Sequence, residues 1–207
     1  MGTPESVVAT GTKPAGAAPS RARRLVNSVL WAVSVPLMFT VAAWLAQVPS
    51  VGIYVGVVVA LGTFGAAASV AGGIWHRAGA AVLVSCAGFA LTLFAGQGLY
   101  ELYMKTMGEK MPAVVTEVEY RDEQQYCTVE ETAGNRAVYE MSQQQNCFDH
   151  IKQHQRVTLR KDPMGVLEPR LPDGPDQEGQ TALTLAISGG LFVVTGASMF
   201  YAGQRRR

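Results

Sequence analysis

Charge is scarce over most of this 207-residue sequence. Between residues 25 and 99 the only Lys, Arg, Asp or Glu is Arg77, and residues 181–203 contain none. A soluble helical domain keeps a polar face on nearly every element, so stretches this long without charge exclude an ordinary water-facing surface there. Cysteine is equally sparse, with three residues in all. The motifs of familiar chemistry are missing: there is no G-x-S-x-G, no H-E-x-x-H, no phosphate-binding loop and no convergent Ser/His/Asp set outside the apolar runs. No apolar run carries an ionisable side chain at its centre, where ion relays and many substrate sites show themselves. The expected class is therefore non-enzymatic, with no cofactor.

The apolar runs themselves have the length of membrane spans. About 20 apolar residues cover a hydrocarbon core of about 30 Å. Four runs qualify, at 25–48, 51–75, 78–100 and 181–203, and the first three are joined by links of only a few residues. Backbone polar groups in lipid must be satisfied within the segment, so each run is predicted to be a helix. Pro36 stands inside the first and removes one donor, which a bundle tolerates. The first run is about twice as long as a signal-peptide core, which favours a retained helix over a cleaved one. Residues 1–24 read as a disordered basic tail, and 204–207 as a second basic tail. Gly52 and Gly56, and then Ala182, Ala186 and Gly190, recur at four-residue spacing, a pattern that lets helix backbones approach closely. A general Ala/Gly bias would give the same pattern, and whether the partner helix belongs to the same chain is not readable.

Positive charge near span ends favours the cytoplasm. Lys13, Arg21, Arg23 and Arg24 precede the first run, Arg77 lies between the second and third, and Arg205, Arg206 and Arg207 follow the fourth. With four spans these positions share one side, so both termini are expected in the cytoplasm. The insert 101–178 holds nine Lys/Arg against fifteen Asp/Glu and falls on the opposite, extracytoplasmic side. Trp44, Tyr54, Tyr100 and Tyr103 are expected at the outer boundary, and Trp75 and Tyr201 at the inner one. An acidic domain on that side disfavours nucleic acid as a partner.

Within the insert the pattern is mostly β. Residues 113–120 are rich in β-branched side chains, 126–129 and 137–141 flank a Gly134-Asn135 turn, and 156–160 alternate. A last short strand is expected at 166–167 and a helical turn at 148–154. This is a compact barrel-like or open-sheet module, with a linker at 172–176 back to the membrane. Outside the cytoplasm, two cysteines in so small a domain most often pair, so Cys127 and Cys147 are expected to form a disulfide. Cys86, inside the third run, reads as a small apolar residue.

The order of these parts resembles the DUF3592-like group of bacterial membrane proteins. The matching segments are Ala113-Val114-Val115 and Val157-Thr158-Leu159-Arg160-Lys161-Asp162-Pro163, followed by Gly165. The group's usual aromatic before Asp-Pro is Lys161 here. The resemblance covers about a third of the chain and implies a small β domain between membrane spans, without an activity.

Two weak metal readings exist. His150 and His154 would share one face of a helix, with Cys127 and Cys147 near in sequence; the plainer reading is two solvated histidines, since the disulfide competes for the sulfurs. The pairs Asp122/Glu123 and Glu130/Glu131, and the trio Asp173, Asp176 and Glu178, could draw calcium but match no spaced ligand loop. The expectation is a membrane α-helical protein with four transmembrane helices and a small β-rich domain between the third and fourth. It would act as an accessory or structural envelope subunit, in a complex with protein partners or as a homo-oligomer. The alternative is a transporter or channel component.

Overall fold

Each uncharged run becomes one long helix in the computed structural model, which describes residues 21–121, 123–133, 136–174, 177 and 179–205. Helix α1 spans Arg21–Leu45 and α2 spans Val51–Ala68, running on into a π-helical stretch at Ser69–Ile74. Helix α3 spans Ala78–Met107 and α4 spans Gln180–Gln204. All four are long and apolar enough to cross a membrane. Of the disordered tail expected over residues 1–24, residues 1–20 lie outside the described residues, while Arg21–Arg24 are not a tail but the first turn of α1.

Helix α1 packs against each of the other three, and α3 and α4 lie along one another. The bundle core gathers Val35, Phe39, Val84, Leu91 and Met199 around small residues. Small residues permit that closeness: a side-chain carbon on Gly56 would sit 2.7 Å from the Ala42 carbonyl oxygen. In the bundle interior Thr63, Ser188, Thr195 and Ser198 each donate to the carbonyl four residues back in their own helix. Outward, the bundle shows large apolar side chains such as Val26, Leu30, Val58, Leu61, Leu93 and Val193. Apolar surface on that scale requires a nonaqueous surrounding.

The widened turn at the end of α2 carries Trp75 into the bundle, where it is 1% exposed. Its indole is turned toward the bundle interior, beside Gly203. Tyr100 is likewise buried, whereas Tyr54 and Tyr201 are exposed.

Helix α3 runs a full two turns past its apolar stretch before the chain turns into a four-stranded antiparallel sheet. Strand β1 is Glu109–Arg121, β2 Gln124–Glu131, β3 Val138–Met141 and β4 Arg156–Lys161, in the order β3-β2-β1-β4. The long β1 pairs with β4 over its first part and with β2 over its second, changing register between Val115 and Glu117. Pro112 sits on β1 where its missing N–H costs no β4 bond: its carbonyl, on the same side, accepts from Thr132 beyond β2. The segments carrying the resemblance meet where Ala113 lies opposite Val157.

One sheet face is apolar. Ala113, Val115, Cys127, Val129, Met141, Val157 and Leu159 pack there with Cys147, Ile151 and Leu171 from the loops. Strands β2 and β3 pair as expected of a hairpin, though the Gly134-Asn135 turn lies outside the described residues. Two expectations fail. Residues 166–167 form no strand, because the Asp162 carboxylate gathers the Met164, Val166 and Leu167 N–H groups into a turn. A lone bridge between Arg160 and Arg170 takes the strand's place. Residues 148–154 form no helical turn either. A 3₁₀ turn comes earlier, at Gln143–Gln145, closed by the Ser142 side chain, and His154 has φ of 61°.

Candidate functional site at the junction of helices and sheet

The polar chemistry of this protein concentrates where the sheet module meets α3 and α4. The last turns of α3 carry Glu101 and Lys105 four residues apart, on one helix face. The return segment after β4 brings Arg170 and Asp173, and α4 opens with Thr181.

These five side chains form a closed ring. The Thr181 hydroxyl donates to Glu101 at 2.6 Å and accepts from the Lys105 ammonium at 2.5 Å. Lys105 also meets Asp173 at 2.5 Å, Asp173 meets Arg170 at 2.8 Å, and Arg170 returns to Glu101 at 3.4 Å. Two cations and two carboxylates balance, and the hydroxyl relays between unlike charges. Arg170 is 4% exposed, so its charge is tolerable only because both carboxylates face it. Burial opposes ionisation of Asp173, yet the Lys105 and Arg170 contacts outweigh it and hold its carboxyl below the ordinary value.

Neighbouring contacts fasten the same seam. Arg160 donates to the Met104 and Lys105 carbonyls at 3.2 and 2.6 Å, placing a cation at the negative end of α3. Tyr100 donates to the Glu168 carbonyl at 2.9 Å. Tyr103 donates to Asp162 at 2.8 Å and stacks edge-on against Trp44 of α1. Asp162 thus accepts from one hydroxyl and three backbone N–H groups; burial raises its pKa, but these donors win and lower it. Beside the ring lies a polar cavity of about 90 Å³, walled by Gln97, Gln144, Asn146, Phe148 and Gln177 among others. Its size suits a few waters.

The disulfide expected from sequence is present. Cys127 on β2 and Cys147 in the loop after β3 are joined, with Cα atoms 5.9 Å apart and both residues fully buried. Cys86 is a free cysteine exposed on the outside of α3.

The other singled-out residues scatter. Gly52 and Gly56 are buried in the same chain against Ala42 and Leu45 of α1 and Ala46 and Val48 of the turn that follows it. Ala182, Ala186 and Gly190 face outward, while α4 meets its neighbours through Ser188, Thr195, Gly196, Met199 and Gly203. His150 leans on Phe148 and contacts the Pro172 carbonyl at 3.3 Å, whereas His154 is exposed in a turn. The two share no helix face. Glu130 and Glu131 point to opposite sheet faces, and Glu131 is buried with Lys161 and Tyr139. Asp173 belongs to the ring; Asp122, Asp176 and Glu178 lie outside the described residues. Among the described residues no three His, Cys, Asp or Glu side chains gather at metal-binding distance.

Sequence reading missed the ring. Its available signal was the Glu101/Lys105 pair at i, i+4 immediately after an apolar run, which marks the helix as continuing into water. No family profile, functionally described protein or solved structure matches this chain.

Proposed function

We propose that this chain is a non-enzymatic envelope membrane protein, an accessory or structural subunit whose sheet module docks other extracytoplasmic proteins or the cell wall. In this reading the four helices cross the membrane, both termini lie in the cytoplasm, and the module stands on the opposite side. The disulfide and the distribution of arginines support that orientation. Kinship with the DUF3592-like group belongs to the same proposal.

The observation that carries the reading is the sheet's uncovered face. Positions alternating with the core residues, including Glu117, Glu119, Arg121, Tyr126, Thr128, Glu130, Val138 and Glu140, contain no buried residue. Glu117, Glu119, Glu130 and Glu140 stand there with Arg121, which pairs with Glu119 and Glu140, and with Lys110 and Arg156 toward the β1–β4 side. The ring at the base keeps this face in a fixed relation to α3 and α4, and a fixed relation lowers the entropy lost on docking.

The test is purification of the tagged full chain from its own membrane in gentle detergent, beside the variant Glu117→Lys/Glu140→Lys. A stoichiometric companion retained by the parent and lost by the variant supports the reading. Recovery of the parent alone counts against it, and so does a companion that the variant keeps unchanged.

A further inference from the structure

At the bundle end away from the sheet, a groove of about 630 Å³ opens between the start of α3 and the end of α4. Its walls are Ala78, Gly79, Ala80 and Leu83 on one side and Ala197, Ser198 and Tyr201 on the other, with His76 and Arg77 at its mouth. Among the described residues nothing fills it: a side chain placed on Gly79 would meet no atom within 4 Å.

The mouth is cationic. Arg77 donates twice to the Arg205 carbonyl, at 2.9 and 2.5 Å. Arg205 lies over the Tyr201 ring at 4.9 Å and donates to its hydroxyl at 3.0 Å. All these partners are neutral, so neither guanidinium is matched by them, and the partial negative charge at the end of α4 offsets only about half a unit. Among the described residues no carboxylate side chain is at hand either. The sequence has no Asp or Glu between Glu5 and Glu101 and none after Glu178, while Arg206 and Arg207 follow directly.

We infer that this groove is a binding site for an anionic glycerophospholipid drawn from the surrounding membrane. The headgroup phosphate meets Arg77 and Arg205 at the mouth, and an acyl chain lies in the trough along Ala80, Leu83 and Ala197. Guanidinium groups suit a phosphate because they offer several N–H donors in one plane. The apolar trough selects a lipid over a free phosphate. A basic mouth set beside an apolar wall at a helix end is the arrangement expected for anionic headgroups. The inference needs the helices to lie in a bilayer and is independent of what the sheet face docks.

The test equilibrates the full chain with vesicles of equimolar phosphatidylglycerol and phosphatidylcholine, then counts the lipids it retains by native mass spectrometry. Phosphatidylglycerol should be retained in preference, and Arg77→Gln/Arg205→Gln should cut that retention by about tenfold or more. Ala197→Leu fills the trough and leaves both arginines in place. Ala197 is exposed, so this variant keeps the fold and should also lose the lipid. Intact formation of the Cys127–Cys147 disulfide serves as the folding control. Equal retention of the two lipids overturns the inference. So does undiminished retention by Ala197→Leu, or displacement of the lipid by excess inorganic phosphate.

Discussion

Arg170 of the return segment and Glu101 of α3 face each other at 3.4 Å, with side chains 4% and 15% exposed. Removing one member of a buried pair leaves the other charged without compensation, and this costs about 3–5 kcal/mol, whereas replacing both with apolar residues of similar volume is close to neutral. Arg170→Met should therefore destabilise the sheet module strongly, and Arg170→Met/Glu101→Met should recover much of the loss. Thermal unfolding of the two variants in detergent gives the comparison. If the double variant is as unstable as the single one, the ring contributes shape and not charge balance.

Acid should loosen the same seam. Asp162 and Asp173 both have carboxyls held below the ordinary value in the folded chain. A depressed folded pKa gives stability that is fully present above the unfolded value, about 3.9, and lost as pH falls toward the folded value. Protease resistance of the return segment should be flat from about pH 5 to 8 as far as these groups are concerned, and fall below about pH 4. Asp162→Asn should lower resistance across the neutral range and flatten the acid limb. A transition near neutrality that Asp162→Asn and Asp173→Asn leave in place would point to other groups.

The Cys127–Cys147 bridge closes a loop with a sequence separation of 20. In the chain-entropy model a loop of that length is worth roughly 3 kcal/mol. Cys127→Ala/Cys147→Ala should lower the unfolding temperature of the sheet module and leave helix content unchanged, as read by circular dichroism. The bridge also fastens the 142–151 loop over the apolar sheet face, so a module unaffected by its loss would need another source of that cover.

Within the bundle, two glycines separate internal packing from the outer surface. A side chain on Gly56 would strike the Ala42 carbonyl, whereas one on Gly190 meets open space. Gly56→Leu should destabilise the bundle by at least about 1–3 kcal/mol, the usual scale of overpacking. Gly190→Leu should leave the monomer's stability within about 0.5 kcal/mol. A loss of oligomer mass with Gly190→Leu alone would assign the Ala182/Ala186/Gly190 face to contact between copies.

What the sequence made legible follows from where one force dominates. The helices are plain because apolar length overrides every local preference, and β1, β2 and β4 are plain because their alternation follows burial. The short strand at 166–167 failed because a side chain, Asp162, captured three backbone donors that a strand would have used. The burial of Trp75 was not legible, because the π-helical turn before it turns the indole inward. The ring was illegible for a different reason. Its members lie up to 80 residues apart, at Glu101 and Thr181, and only the return of the chain onto α3 brings them together.

Side-specific labelling tests most directly whether the sheet module stands outside the cytoplasm. A cysteine placed at Glu140, exposed on β3, and another placed at Arg205, exposed at the end of α4, are offered a membrane-impermeant maleimide on intact cells. Glu140→Cys should react at once, and Arg205→Cys only after the membrane is opened. The reverse order would put the sheet in the cytoplasm and contradict both the orientation and the docking role built on it.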